Sequence, residues 1–121
     1  MKRLALLLCF LGSVPVIQTA NAATDIGLAE VRDLGRLNGQ ALACGYADTA
    51  ALIKKAIILH APRARQYGAA FEETTNESFL AQSRQEHAAC PDGPTLNGQV
   101  NEATRRLMAV LPATNSETIA R

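Results

Sequence analysis

The sequence predicts an all-α protein. The expected architecture is a small four-helix bundle (three to five helices), stapled by one disulfide and preceded by a cleaved signal peptide. Three observations predict it. Apolar residues recur at spacings of three and four over most of the chain, which is the period of helices with one buried face. No run of alternating residues and no β-branched cluster argues for a strand. Gly45, Pro62 and the segment Pro91-Asp92-Gly93-Pro94 divide the pattern into helix-sized lengths.

The N-terminus has its own logic. Lys2 and Arg3 form a short basic region, Leu4 to Ile17 is an apolar run broken by Gly12, Ser13 and Pro15, and Ala20-Asn21-Ala22 has the small-x-small form of a cleavage site. This pattern predicts a secretory signal over residues 1–22, cut between Ala22 and Ala23. A membrane-spanning helix needs roughly 20 apolar residues, more than this run supplies. The expected location is therefore periplasmic or secreted, with no stable membrane insertion after cleavage. Residues 23–112 are assigned to a single helical domain, and 113–121 to a polar, disordered C-terminal tail.

The first helix is expected from Ile26 to Cys44, capped by Thr24 or Asp25 and ended by Gly45 in the left-handed conformation. Val31, Leu34, Leu37, Ala41 and Cys44 share one broad face. Gly35, Gly39 and Ala43 make a second stripe at spacing four. A stripe of small residues admits another backbone, either inside the domain or as an interaction face for a partner.

Asp48 is the expected cap of a second helix, Thr49 to Ala61, with Leu52, Ile53, Ala56, Ile57 and Leu59 giving a wide apolar surface. Lys54 and Lys55 mark its wet side, and Pro62 stops it because the residue before a proline disfavours the helical region. Pro62 can also open a third helix. Tyr67, Phe71, Thr75, Phe79 and Gln82 follow helical spacing there, but Thr74-Thr75-Asn76 is a poor helix interior, and Thr74 with Glu77 fits a capping box. One long helix and two shorter ones both remain open. Thr95 is the expected cap of a fourth helix, Leu96 to Leu111, with Leu96, Val100, Ala103, Leu107 and Leu111 in one stripe. The expected core is Leu34, Leu37, Leu52, Ile53, Ile57, Phe71, Phe79, Leu96, Val100, Leu107 and Leu111.

Cleavage removes Cys9 and leaves Cys44 and Cys90. An even count in an oxidising compartment favours a bridge between them; the alternative is two buried thiols. Cleavage also removes two cations and no carboxylate. Ten Lys and Arg then face eleven Asp and Glu, a net charge near −1. That balance, with no Trp and few aromatics, gives no footprint for nucleic acid or an anionic membrane surface.

Three kinds of chemistry bear on the residue pattern. Cys44, His60, His87 and Cys90 make a possible Cys2His2 zinc set, but two cysteines outside the cytosol are better paired with each other. Glu72, Glu73 and Glu77 cluster on the third helix, where a solvated charged face is the simpler reading. No C-x-x-C, haem-attachment, Ser–His–Asp or phosphate-loop pattern is present. No catalytic residue, metal or cofactor is expected.

In size, compartment and cysteine arrangement the chain resembles the HdeA acid-stress chaperones, which also hold a helical domain with one long-loop bridge. It lacks their tryptophan-containing cysteine motif. The segment Leu42-Ala43-Cys44-Gly45-Tyr46 is loosely similar to helical immunity proteins of type VI secretion. Neither resemblance carries functional residues over. The leading expectation is a non-enzymatic protein-binding module. The alternatives are an acid-stress chaperone, a type VI secretion immunity protein and, last, a small enzyme.

Overall fold

The computed structural model describes residues 25–84 and 89–112. The expected signal segment, the C-terminal tail, Thr24 and His87 lie outside these residues. The described residues form four helices and no strand: α1 (Leu28–Ala43), α2 (Ala47–His60), α3 (Arg65–Arg84) and α4 (Gly93–Val110).

The helix ends follow backbone chemistry more than side-chain caps. α1 starts after Gly27, which takes a left-handed φ of 79°. A side chain there would run into Leu111, so glycine serves both the conformation and the packing. The expected Asp25 cap is replaced by a turn in which the Leu28 N–H donates to the Asp25 carbonyl at 3.1 Å. At the other end Gly45 is left-handed as expected, with φ of 78°. Asp48 lies inside the first turn of α2 and not at its cap, which is Tyr46; a carboxylate in that turn still favours the positive end of the helix. Ala61, before Pro62, is extended and ends α2. Pro62 falls in the connection and does not open α3. In α4, Asp92 takes the cap position expected for Thr95, and Pro94 sits in the first turn, where its missing N–H costs nothing.

α3 is one continuous helix through Thr74-Thr75-Asn76. Two hydroxyls of this polar stretch and its next turn reach α1. Thr75 donates to the Gly35 carbonyl at 3.2 Å and Ser78 to the Arg36 carbonyl at 2.7 Å. Thr74 bonds back to the Ala70 carbonyl at 2.8 Å. Hydroxyls that weaken an isolated helix here tie it to its neighbour.

The same contacts give the direction of each helix. Pairings rise together along α1 and α3, from Gly35 with Thr75 to Gln40 with Gln82, so the two run parallel. Thr49 pairs with Asn97 and His60 with Leu111, so α2 and α4 are parallel too. α1 is antiparallel to α2 and α4. Sequential helices are neighbours only in part. α1 is the central element and lies close to the other three, α2 also lies close to α4, and the backbone of α3 approaches that of α1 alone among the helices.

The core lies between α1, α2 and α4, with α3 closing the far side of α1. Leu34, Leu37, Ile53, Leu96 and Leu107 are fully buried. Each such side chain contributes about 1.5–3 kcal/mol relative to exposure. Val100 is buried as expected, while Ile57, Phe71 and Leu111 are partly buried against the core. Two expected core residues are not there. Leu52 is 57% exposed and Phe79 39% exposed. Leu52 stands on the flank of α2 beside α4, and Phe79 on α3, whose backbone approaches α1 alone among the helices.

Cys44 and Cys90 are joined, with Cα atoms 5.7 Å apart. The bridge ties the α1–α2 corner to the segment before α4. Beside it the Tyr46 hydroxyl donates to the Pro91 carbonyl at 2.9 Å. At the opposite end buried Tyr67 donates to the Ile26 carbonyl at 2.7 Å, anchoring α3 to the chain before α1. Tyr67→Phe is expected to cost about 0.5–1.5 kcal/mol, the net value of one such bond, and to lower the thermal midpoint by several degrees. An unchanged midpoint would show that this anchor contributes nothing.

Candidate functional site

The small-residue stripe is the first candidate, and the structure places it inside the molecule. Gly35 and Gly39 are buried under α3. A Cβ on Gly35 would lie 2.8 Å from the Phe71 carbonyl oxygen, and one on Gly39 would lie 2.7 Å from the Phe79 backbone nitrogen and meet the Thr75 carbonyl. α3 thus fills the stripe with its own backbone. Gly35 and Gly39 are not an interaction face for a partner, and Ala43 at the end of the stripe is only half exposed.

The other sequence candidates are dispersed. Glu72, Glu73 and Glu77 are exposed on α3. His60, the last residue of α2, is buried, and its Nδ1 donates to the Leu111 carbonyl at 3.2 Å. Cys44 and Cys90 are bound to each other and cannot ligate zinc as thiolates. Among the described residues no group of three or more His, Cys, Asp or Glu converges as a metal site would require. No helix among them is long and apolar enough to cross a membrane.

What the structure does bring together is apolar surface on both flanks of α2. On the α4 flank a shallow seam of about 210 Å³ has Leu52, Ala56, Leu59 and Val100 as its apolar lining, with Lys55, His60, Asn101 and Thr104 as its polar groups. Met108, one turn beyond Thr104 on α4, is 48% exposed. On the other flank, α2 and α3 stand apart over α1 and leave a pocket of about 510 Å³. Ile57 and Ile58 of α2, Phe71 of α3 and Leu42 of α1 form its apolar lining, with Lys54, Glu72 and Asn76 among its polar groups.

Asn38 also lines this pocket and is the residue that sequence reasoning passed over. It is 1% exposed. Its Nδ2 donates to the Thr75 hydroxyl oxygen at 3.3 Å, and its Oδ1 has no partner. The signal was available: position 38 falls beside Leu34, Leu37 and Ala41 on the apolar face of α1, where an amide needs partners.

No protein-family model, characterised protein or solved structure matches this chain.

Proposed function

We propose that the chain, after loss of a signal peptide, is a non-enzymatic binding module that works outside the cytosol and engages another protein. The observation that carries this reading is the apolar seam beside α4. Leu52 and Met108 are large apolar side chains left in water on neighbouring helices. Exposed apolar surface of this kind is a common feature of protein contact sites. The disulfide supports the extracytoplasmic assignment, since such bridges persist in oxidising compartments.

The test is affinity capture of the tagged protein from the extracytoplasmic fraction of its own cells, beside a Leu52→Glu variant. The expected result is one stoichiometric partner at neutral pH, lost in the variant while its thermal unfolding is unchanged. Capture indifferent to Leu52→Glu would overturn the seam as the contact. Many unrelated clients appearing only near about pH 4, where carboxylates protonate, would replace this reading with the chaperone alternative.

A further inference from the structure

We propose that the pocket between α2 and α3 binds a small, uncharged amphipathic molecule. Its apolar body would lie against Ile57, Ile58 and Phe71, and its N–H or O–H group would donate to Asn38 Oδ1. This goes beyond the protein-binding reading and uses the opposite flank of α2.

The orientation of the Asn38 amide is fixed by its neighbours. The Thr75 hydroxyl has one proton, and it goes to the Gly35 carbonyl. The Thr75 oxygen can then only accept, so the atom of Asn38 that faces it is Nδ2. Oδ1 is left as a buried acceptor without a donor. Buried amide oxygens almost always have a partner, and an exception calls for one. Asn38 is among the residues lining the pocket, so a molecule seated there would lie against the residue that carries this unpaired acceptor.

Size and charge narrow the class. The lining residues span positions 38–42 of α1, 54–58 of α2 and 71–76 of α3. At 1.5 Å per residue that is little more than one turn of each helix, too short to seat a docking helix. The volume of about 510 Å³ falls in the range of small-molecule sites. Lys54 and Glu72 place both signs of charge at the pocket, so neither an anion nor a cation is favoured overall.

The proposal is tested by amide chemical-shift titration of the oxidised protein with indole, an apolar ring with one N–H donor, beside 1-methylindole, which has none. Indole is expected to give saturable shifts centred on Asn38, Ile57 and Phe71, with 1-methylindole about tenfold weaker, a difference of about 1.4 kcal/mol. Asn38→Leu is expected to erase the difference between the two probes. Ile58→Glu, at a position 66% exposed and so harmless to folding, is expected to abolish binding of both. Equal affinities for indole and 1-methylindole would overturn recognition of a donor. Absence of saturable shifts would overturn the site, leaving Oδ1 to water. Indole binding unaffected by Ile58→Glu would overturn its location. Leu52 lies on the other flank of α2, so its variant and the Ile58 variant fail independently.

Discussion

Replacing Cys44 and Cys90 together with serine is expected to lower the unfolding free energy by about 4 kcal/mol. The two residues are separated by 46 positions. In the chain-entropy model a closed loop of that length restricts the unfolded ensemble by about this amount. The loss is a large part of the 5–15 kcal/mol that holds a typical domain together. The position of the bridge adds to its importance. It joins the α1–α2 corner to the segment that leads into α4, two regions otherwise linked by the Tyr46 bond to Pro91. Denaturant unfolding of the oxidised parent and the double variant measures the difference. A variant with the parent's midpoint and slope would show that the unfolded chain is already compact without the bridge.

Replacing Gly35 and Gly39 together with alanine is expected to destabilise the protein by about 2–6 kcal/mol, from about 1–3 kcal/mol of overpacking at each site. Helix propensity predicts the opposite sign, since alanine is better than glycine by about 1 kcal/mol in a helix interior. The geometry decides which effect wins. The added methyl groups meet the Phe71 carbonyl, the Thr75 carbonyl and the Phe79 nitrogen, which are backbone atoms of α3 and cannot rotate away. α3 has to retreat from α1, the helix its backbone lies against. The Thr75 and Ser78 bonds to the Gly35 and Arg36 carbonyls lengthen with it. Hydrogen exchange should show α3 losing protection before the other helices. A stabilised double variant would mean that the two helices do not approach this closely in solution.

These expectations show how unevenly the molecule was written in its sequence. The four helices were legible because each carries an apolar stripe at helical spacing, and because Gly45 and Pro62 act locally on the backbone. The α4 stripe from Leu96 to Leu107 is buried as expected. The caps were less legible. Asp25, Asp48 and Thr95 are good capping residues by type, but a cap needs a particular backbone geometry, and turns at Gly27, Tyr46 and Asp92 supply the helix starts instead. The unity of α3 was also hidden. Thr74-Thr75-Asn76 weakens a helix in isolation, and only the α1 carbonyls opposite make those hydroxyls an asset.

By itself the sequence determined the helical class, the rough extent of the helices apart from the unity of α3, and the pair of cysteines that join. Each of these depends on residues near one another in the chain or on a count that allows a single answer. Only the tertiary structure decided which helix faces which. A stripe states that it will be buried, not what will bury it. The Gly35–Gly39 stripe could have awaited a partner, yet α3 fills it. Leu52 and Phe79 sit on apolar faces, yet they stay in water, Leu52 on the α4 side of α2, while the backbones of α2 and α3 stay apart from each other. That same separation opens the pocket over Asn38 and makes an ordinary mid-helix amide the residue on which the proposed site turns.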